Sequence, residues 1–206
     1  MKKIEYAVSI NNSDKKDNES YVYRHPESLN RDLEKQTMEN TSSLQDIIKR
    51  LNQENPDRKF IGKIFRDKGG QNERIEWKSR GEIIGMAEQF GSGLLNESLV
   101  EANTDWNMSL KFVGIWAKNS LEYVVQDFAC IFYGITSIPV YDTLGQEATE
   151  FVFSQTKMQT CVLTANHAVT LCQHASKYPH LKNLIVIDPE NLPEDLDRGA
   201  LNVFNF

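Results

Sequence analysis

From Lys111 onward the chain repeats one pattern, a short apolar run followed by a stretch of helical periodicity. The apolar runs are residues 112–117, 137–141, 160–164 and 184–188. The helical stretches between them are residues 121–133, 146–156 and 167–176. Continuously apolar runs this short suit strands that are covered on both faces. Neighbouring parallel strands need a crossover of a dozen or more residues, and the helical stretches supply it. The pattern therefore predicts an α/β fold built on a mostly parallel sheet with right-handed crossovers and flanking helices. The helix at 121–133 carries Val124, Val125, Phe128, Ala129, Ile131 and Phe132 on several sides. Such a helix is expected to lie deeper than a surface helix. Gly134 is its natural stop.

Upstream of this repeat the chain divides in two. Residues 1–40 are rich in Asn, Lys, Asp, Glu and Ser and poor in apolar side chains. They bury too little surface to offset their ordering entropy, so they read as a mobile arm that docks locally through Tyr21 and Tyr23. Residues 41–206 read as a separate, incomplete large domain. It opens with a helix, because Leu44, Ile47, Ile48 and Leu51 follow the i, i+3, i+4, i+7 spacing. Ser43 with Asp46 suits a capping box, and Pro56 marks the exit. Strand candidates at 60–65 and 74–77 flank Gly69-Gly70, which predicts a hairpin. Ser79 and Glu82 make a second capping box, opening a helix whose buried stripe is Ile83, Ala87, Phe90 and Leu94. Gly91 and Gly93 near its end predict tight packing against a neighbour.

Charge and motifs narrow the function. The net charge of -6 argues against a general phosphate-backbone binder, so no nucleic-acid partner is expected. Cys130, Cys161 and Cys172 are odd in number, lack C-x-x-C spacing and sit in or beside apolar runs, as reduced buried thiols do. Met1-Lys2-Lys3 is followed by an apolar stretch too short and too mixed for a signal peptide, and no run approaches a membrane span. An intracellular, non-secreted chain is expected. No sequence matches a G-x-G-x-x-G turn after a strand, a G-x-x-x-x-G-K-[ST] loop or a G-x-S-x-G elbow. Gly91-Ser92-Gly93 falls where a helix ends, whereas phosphate is drawn to helix starts.

In parallel sheets ligands gather at the carboxyl ends of the strands. Those ends are predicted at residues 117–119, 142–145, 165–167 and 188–189. Asp142 is either a ligand-facing carboxylate or a cap for the next helix and its turn, and the cap is the favoured reading. Asn119 and Ser120 read first as helix caps. His167 and His174 share a helical face but lack the further ligands of a metal site, so they read as exposed or capping residues. Glu122 and Asp127 read as a solvated helix edge.

Specific residues carry a resemblance beyond this fold class. Val113-Gly114-Ile115-Trp116-Ala117-Lys118-Asn119-Ser120-Leu121-Glu122-Tyr123 is followed by Ile138-Pro139-Val140-Tyr141-Asp142-Thr143-Leu144-Gly145. Both stretches, with Phe90-Gly91-Ser92-Gly93-Leu94 after Trp77 and, more weakly, Tyr21-Val22-Tyr23-Arg24, resemble the long-chain fatty acyl-CoA synthetases, members of the AMP-forming, adenylate-forming superfamily. The resemblance spans residues 41–190 and points to the opening part of their N-terminal domain.

The resemblance implies a ligase of lipid metabolism that activates a fatty acid with ATP and magnesium to an acyl-adenylate, then transfers the acyl group to coenzyme A. It also implies peripheral membrane association and a place in the cytoplasm or on the cytosolic face of the endoplasmic reticulum. It gives no strong sign of an oligomer. The family's Ser/Thr/Gly-rich loop ending in Pro-Lys-Gly, its acidic ribose-binding motif and its small C-terminal domain have no counterpart in these 206 residues. No catalytic, cofactor-binding or metal-binding residue therefore carries over. The expectation is an N-terminal fragment, inactive alone, that binds none of ATP, magnesium or coenzyme A tightly. The apolar ending at Leu201, Val203, Phe204 and Phe206 reads as a cut. The competing reading is a complete short protein that reuses the fold as a non-catalytic binding or regulatory module.

Overall fold

The structure is a computed structural model that describes residues 7–10, 18–29, 40–66, 73–105 and 108–206. It divides into two compact units, Met1–Ser43 and Leu44–Phe206. In the first, β1 (Val8–Ser9) pairs antiparallel with β2 (Tyr23–Arg24), a pairing the polar composition did not announce. Tyr21 and Tyr23 are both exposed.

The second unit opens with α1 (Leu44–Glu54), which ends two residues before Pro56 as expected. Ile48 is its buried residue, while Leu44 at its start is exposed. A hairpin follows, β3 (Lys59–Arg66) against β4 (Glu73–Ser79), antiparallel with Ile64 opposite Ile75 and Gly62 opposite Trp77. Gly69-Gly70 lies outside the described residues. Phe60, Ile64, Ile75 and Trp77 are exposed, and Phe60 also meets Phe128 at 6.0 Å between ring centroids.

Next comes α2 (Arg80–Asn96), opened by the expected capping box. The Ser79 hydroxyl accepts from the Glu82 amide at 3.2 Å, and the Glu82 carboxylate accepts from the Ser79 amide at 2.7 Å. Two of the four free amides at the helix start are thereby satisfied reciprocally. Ile83, Ala87 and Leu94 are buried along the predicted stripe, with Ile84 and Gly91 beside them. At Gly91 an added Cβ would stand 2.2 Å from a ring carbon of Tyr133, whereas at Gly93 nothing lies within 4 Å. Only the first glycine marks a close approach.

The sheet follows: β5 (Ala102–Asn103), β6 (Leu110–Trp116), α3 (Leu121–Tyr133), β7 (Thr136–Pro139), α4 (Gln146–Thr156), β8 (Thr160–Leu163), α5 (Ala165–Gln173), β9 (Asn183–Val186) and β10 (Asn202–Asn205). β6 lies beside both β7 and β8, β8 beside β9, and β9 beside β10, all parallel. Among the described residues only β5 joins this sheet antiparallel, through Ala102 and Asn103 on Lys111 and Leu110. The four predicted strands are present, each within two residues at its start and ending one or two residues early. The apolar ending is the fifth parallel strand, β10, which the sequence reading did not assign.

Both faces of the sheet are covered, which explains the continuous apolar runs. Phe112, Trp116, Cys161, Leu163, Leu184 and Val186 share one core with Phe153 of α4 and Ala168 and Leu171 of α5. The alternating residues Val113, Ile115, Val162 and Ile185 join Leu94 of α2 and Cys130 of α3 on the other side. Ile83 and Ala87 of α2 close on Val125 and Ala129 of α3, so α3 is buried on more than one side, as predicted. Gly134 ends it in the left-handed conformation at φ 61°, its amide bonded to the Cys130 carbonyl. Cys130 and Cys161 are buried and Cys172 is half-buried, all as free thiols.

Candidate functional site

The order β7-β6-β8-β9-β10 contains a reversal. The chain leaves β6 through α3 to reach β7 on one side, then crosses through α4 to β8 on the other. Connections that diverge from adjacent strands leave a crevice outside their carboxyl ends, the usual ligand position in open α/β sheets. Three adjoining clefts occupy that end. One of about 370 Å³ lies between residues 118–120, Asp142, Thr164–His167 and Asp188. One of about 430 Å³ adds Tyr123 and Tyr141. The largest, about 620 Å³, runs from the same Asn119 and Ser120 to Ile61, Lys63 and Ile64 of the hairpin. All four strand ends singled out in the sequence therefore meet here.

Local chemistry holds each wall. Ser120 caps α3 as expected, its hydroxyl accepting from the Tyr123 amide at 3.1 Å. Asn119 precedes this cap and lines all three clefts. Asp188, after β9, accepts from the Ala165 amide at 2.6 Å and from Asn191 at 3.1 Å, so it neutralises the start of α5 from a distant strand.

Asp142 differs from the favoured expectation. Gly145, not Asp142, is the cap residue of α4, and the turn is closed by the Leu144 amide on the Tyr141 carbonyl. The Asp142 carboxylate instead reaches back to β6 and across to α5. Its Oδ1 accepts from the Trp116 indole N–H at 3.0 Å and stands 3.0 Å from His167 Nε2. The Trp116 indole donates to this carboxylate oxygen and His167 meets the same oxygen, so the side chain is engaged over long range and not at the start of α4.

His167 is likewise not an exposed residue. Its ring stacks on Trp116 with centroids 4.3 Å apart and 15° between planes, and its side chain is 21% exposed. Nδ1 lies 2.9 Å from the Thr164 hydroxyl and 3.1 Å from the Trp116 carbonyl oxygen. His174 is the C-cap residue of α5 and is exposed, as expected. Glu122 is another correction. Its side chain is 17% exposed and faces Lys63 of the hairpin at 3.7 Å, while Asp127 is exposed as expected. The sequence held one signal for the cluster: Asp142 and His167 fall at predicted strand ends, and Trp116 lies in the predicted strand just before a third. Nothing in it told which would meet.

Thr164, His167 and Asp142 stand in series as hydroxyl, imidazole and carboxylate, the ingredients of an activated nucleophile. The Trp116 carbonyl oxygen shares that ring nitrogen with the hydroxyl and only accepts, so the two compete for Nδ1 and the roles there follow the ring's tautomer. The cluster joins three elements: the end of β6, the loop before α4 and the start of α5. Among the described residues, no group of three or more His, Cys, Asp or Glu could hold a metal ion. Asp142 and Asp188 are already engaged within the fold, so the residues present do not fit a magnesium-bound triphosphate. No helix among the described residues is long and apolar enough to cross a membrane.

Comparison with known proteins agrees with this geometry. Residues 50–203 match the family described as "AMP-binding enzyme". The chain is 33% identical over 121 residues to long-chain-fatty-acid–CoA ligase 5 of Mus musculus, which covers 57% of this chain and 17% of that protein. It is 29% identical over 144 residues to the peroxisomal long chain acyl-CoA synthetase 7 of Arabidopsis thaliana, covering 69% of this chain and 19% of the relative. It thus spans less than a fifth of these relatives' length. Among solved structures, the A domain of carboxylic acid reductase from Segniliparus rugosus, in complex with AMP and a co-purified carboxylic acid, superposes with a TM-score of 0.62 at 18% identity. That match covers 82% of this chain and 29% of the other. The match over 50–203 takes in the hairpin, the switch-point clefts and the parallel sheet together, and the chain belongs to the AMP-binding enzyme family.

Proposed function

We propose that residues 41–206 form the opening part of the large N-terminal domain of an ATP-dependent long-chain fatty acid–CoA ligase. The observation that carries this is the family match over 50–203 together with long-chain relatives at 33% identity. In the reaction proposed, a fatty acid carboxylate attacks the α-phosphorus of ATP and expels pyrophosphate. The coenzyme A thiol then attacks the acyl carbonyl and expels AMP. Such chemistry rests on positioning and on neutralising charge, which magnesium and cationic side chains elsewhere in a ligase would supply. This segment contributes a rigid wall: a covered sheet whose carboxyl ends, with Tyr141–Gly145 between β7 and α4, face the clefts. Residues 1–40 form an arm ahead of it. The setting is the cytoplasm or the cytosolic face of the endoplasmic reticulum.

ATP–pyrophosphate exchange tests the proposal. The 206-residue chain alone should give no exchange with a long-chain fatty acid, and a longer protein from the source cells that contains this segment should give it. An antibody to residues 20–40 identifies that protein by mass. A single species near 23.6 kDa, or a longer protein inert toward fatty acids, would overturn the proposal.

A further inference from the structure

The 370 Å³ cleft has in its wall a loop held by few bonds. Tyr141–Gly145 is a short loop whose one internal bond closes at Leu144. Asp142 on it is 47% exposed and reaches the rest of the molecule through Trp116 Nε1 and His167 Nε2, each at 3.0 Å. His167 in turn faces two groups that can only accept: the Asp142 carboxylate at Nε2 and the Trp116 carbonyl at Nδ1. A neutral imidazole has one N–H and can serve one of them. An imidazolium has two and serves both. The Thr164 hydroxyl, 2.9 Å from Nδ1, accepts from the charged ring or donates to the neutral one, so it accommodates both states without moving.

We propose that a proton on His167 tightens the hold of the carboxyl end of the sheet on the Tyr141–Gly145 loop, so that this wall of the cleft is firm with the proton and loosened by its loss. With the proton in place, Nε2–H donates to an ionised carboxylate and Nδ1–H to the end of β6. One ring then joins the loop, the central strand and the start of α5. Without it, either the carboxylate or the carbonyl faces a ring lone pair. The other charged or titratable groups around the pair are few. Lys118, from the turn after β6, lines the cleft with Asp142 and opposes a second positive charge on His167. Asp188 lines the same cleft and favours that charge, but its oxygens are occupied by Ala165 and Asn191. Tyr141 and Tyr123 share the adjoining cleft with Asp142. The proposal does not depend on the ligase activity and holds for the 206-residue chain itself.

Two measurements on that chain test it. The His167 ring is titrated by NMR, and amide hydrogen exchange at Leu144 is followed across the same pH range, corrected for the intrinsic rate. Protection at Leu144 should fall about two- to fivefold as His167 loses its proton, the range expected of a partly exposed ion pair. Trp116 fluorescence should rise with the same midpoint, because a stacked imidazolium quenches indole emission. Asp142→Asn and His167→Gln should each flatten the pH dependence, and His174→Gln should leave it intact. Corrected protection that is constant through the His167 titration, or that keeps its pH dependence in folded Asp142→Asn, would overturn the proposal. The wild-type titration decides even if a variant fails to fold.

Discussion

Gly91 and Gly93 lie two residues apart on α2, and the structure predicts opposite responses to the same substitution. An alanine Cβ at Gly91 would stand 2.2 and 2.4 Å from Cδ2 and Cε2 of Tyr133 and 3.1 Å from its Cγ. Carbon atoms rest about 3.5–4.0 Å apart, so the ring must retreat by more than about 1 Å. Tyr133 is the last residue of α3, and its hydroxyl donates to the Glu88 carbonyl at 2.8 Å, one turn back along α2. Retreat strains or breaks that bond. Overpacking costs about 1–3 kcal/mol, the lost hydrogen bond about 1 kcal/mol more, and the helix preference of Ala over Gly returns about 1 kcal/mol. Gly91→Ala should therefore destabilise the chain by about 1–3 kcal/mol. At Gly93 only the helix preference remains, since a Cβ there meets nothing within 4 Å, and Gly93→Ala should stabilise by about 0.5–1 kcal/mol. Urea unfolding of both variants measures this, with Tm moving about 2–4 °C per kcal/mol. Repeating Gly91→Ala in a Tyr133→Ala background completes a double-mutant cycle. There the penalty should vanish and the sign turn favourable. Equal stabilisation by both glycine variants, or a Gly91→Ala penalty unchanged without Tyr133, would refute the steric account.

Three further predictions concern single groups. Burial pushes the Cys130 thiol up to about 12 and Cys161 higher still, and raises half-buried Cys172 less, so a thiol reagent should label Cys172 first in the native chain and all three after unfolding. The Ser79 amide and then Lys78 hold the Glu82 carboxyl below its ordinary range. Its contribution is present above that range and is lost as pH falls through the lowered value, so acid unfolding of Glu82→Gln should lack this component. Gly134→Ala, which forces a side chain onto φ 61°, should cost about 1 kcal/mol by urea unfolding.

The elements with local causes were legible in the sequence. The bounds of α3 and α4 agree with the periodicity, and the Ser79–Glu82 box and the Gly134 stop act through neighbours three or four residues away. The misread features depend on partners distant in sequence. Asp142 meets Trp116, 26 residues earlier, and His167, 25 residues later, and neither distance leaves a periodic trace. Glu122 is a partly covered residue facing Lys63 of the hairpin, 59 residues earlier. β5 is only two residues long and is a strand through its pairing with β6, while β10 sets Val203 and Phe204 between Asn202 and Asn205 and is a strand through its pairing with β9. The location of the candidate site was legible because strand ends are predictable. Its internal bonding was not.

The position of β6 also sets an order of assembly. It is the first of the parallel strands to be synthesised, yet its two parallel neighbours are β7 and β8, which start 20 and 44 residues after it ends. Until β7 arrives, β6 has unpaired backbone along both sides from Phe112 onward, and until β8 arrives, along one. Each later strand then docks on an edge that already exists, β9 on β8 and β10 on β9. During translation the sheet therefore starts at β6, gains β7 on one side and then grows the other way. A chain released soon after Trp116 should therefore aggregate more readily than one released after Leu163, which carries the three strands β7, β6 and β8.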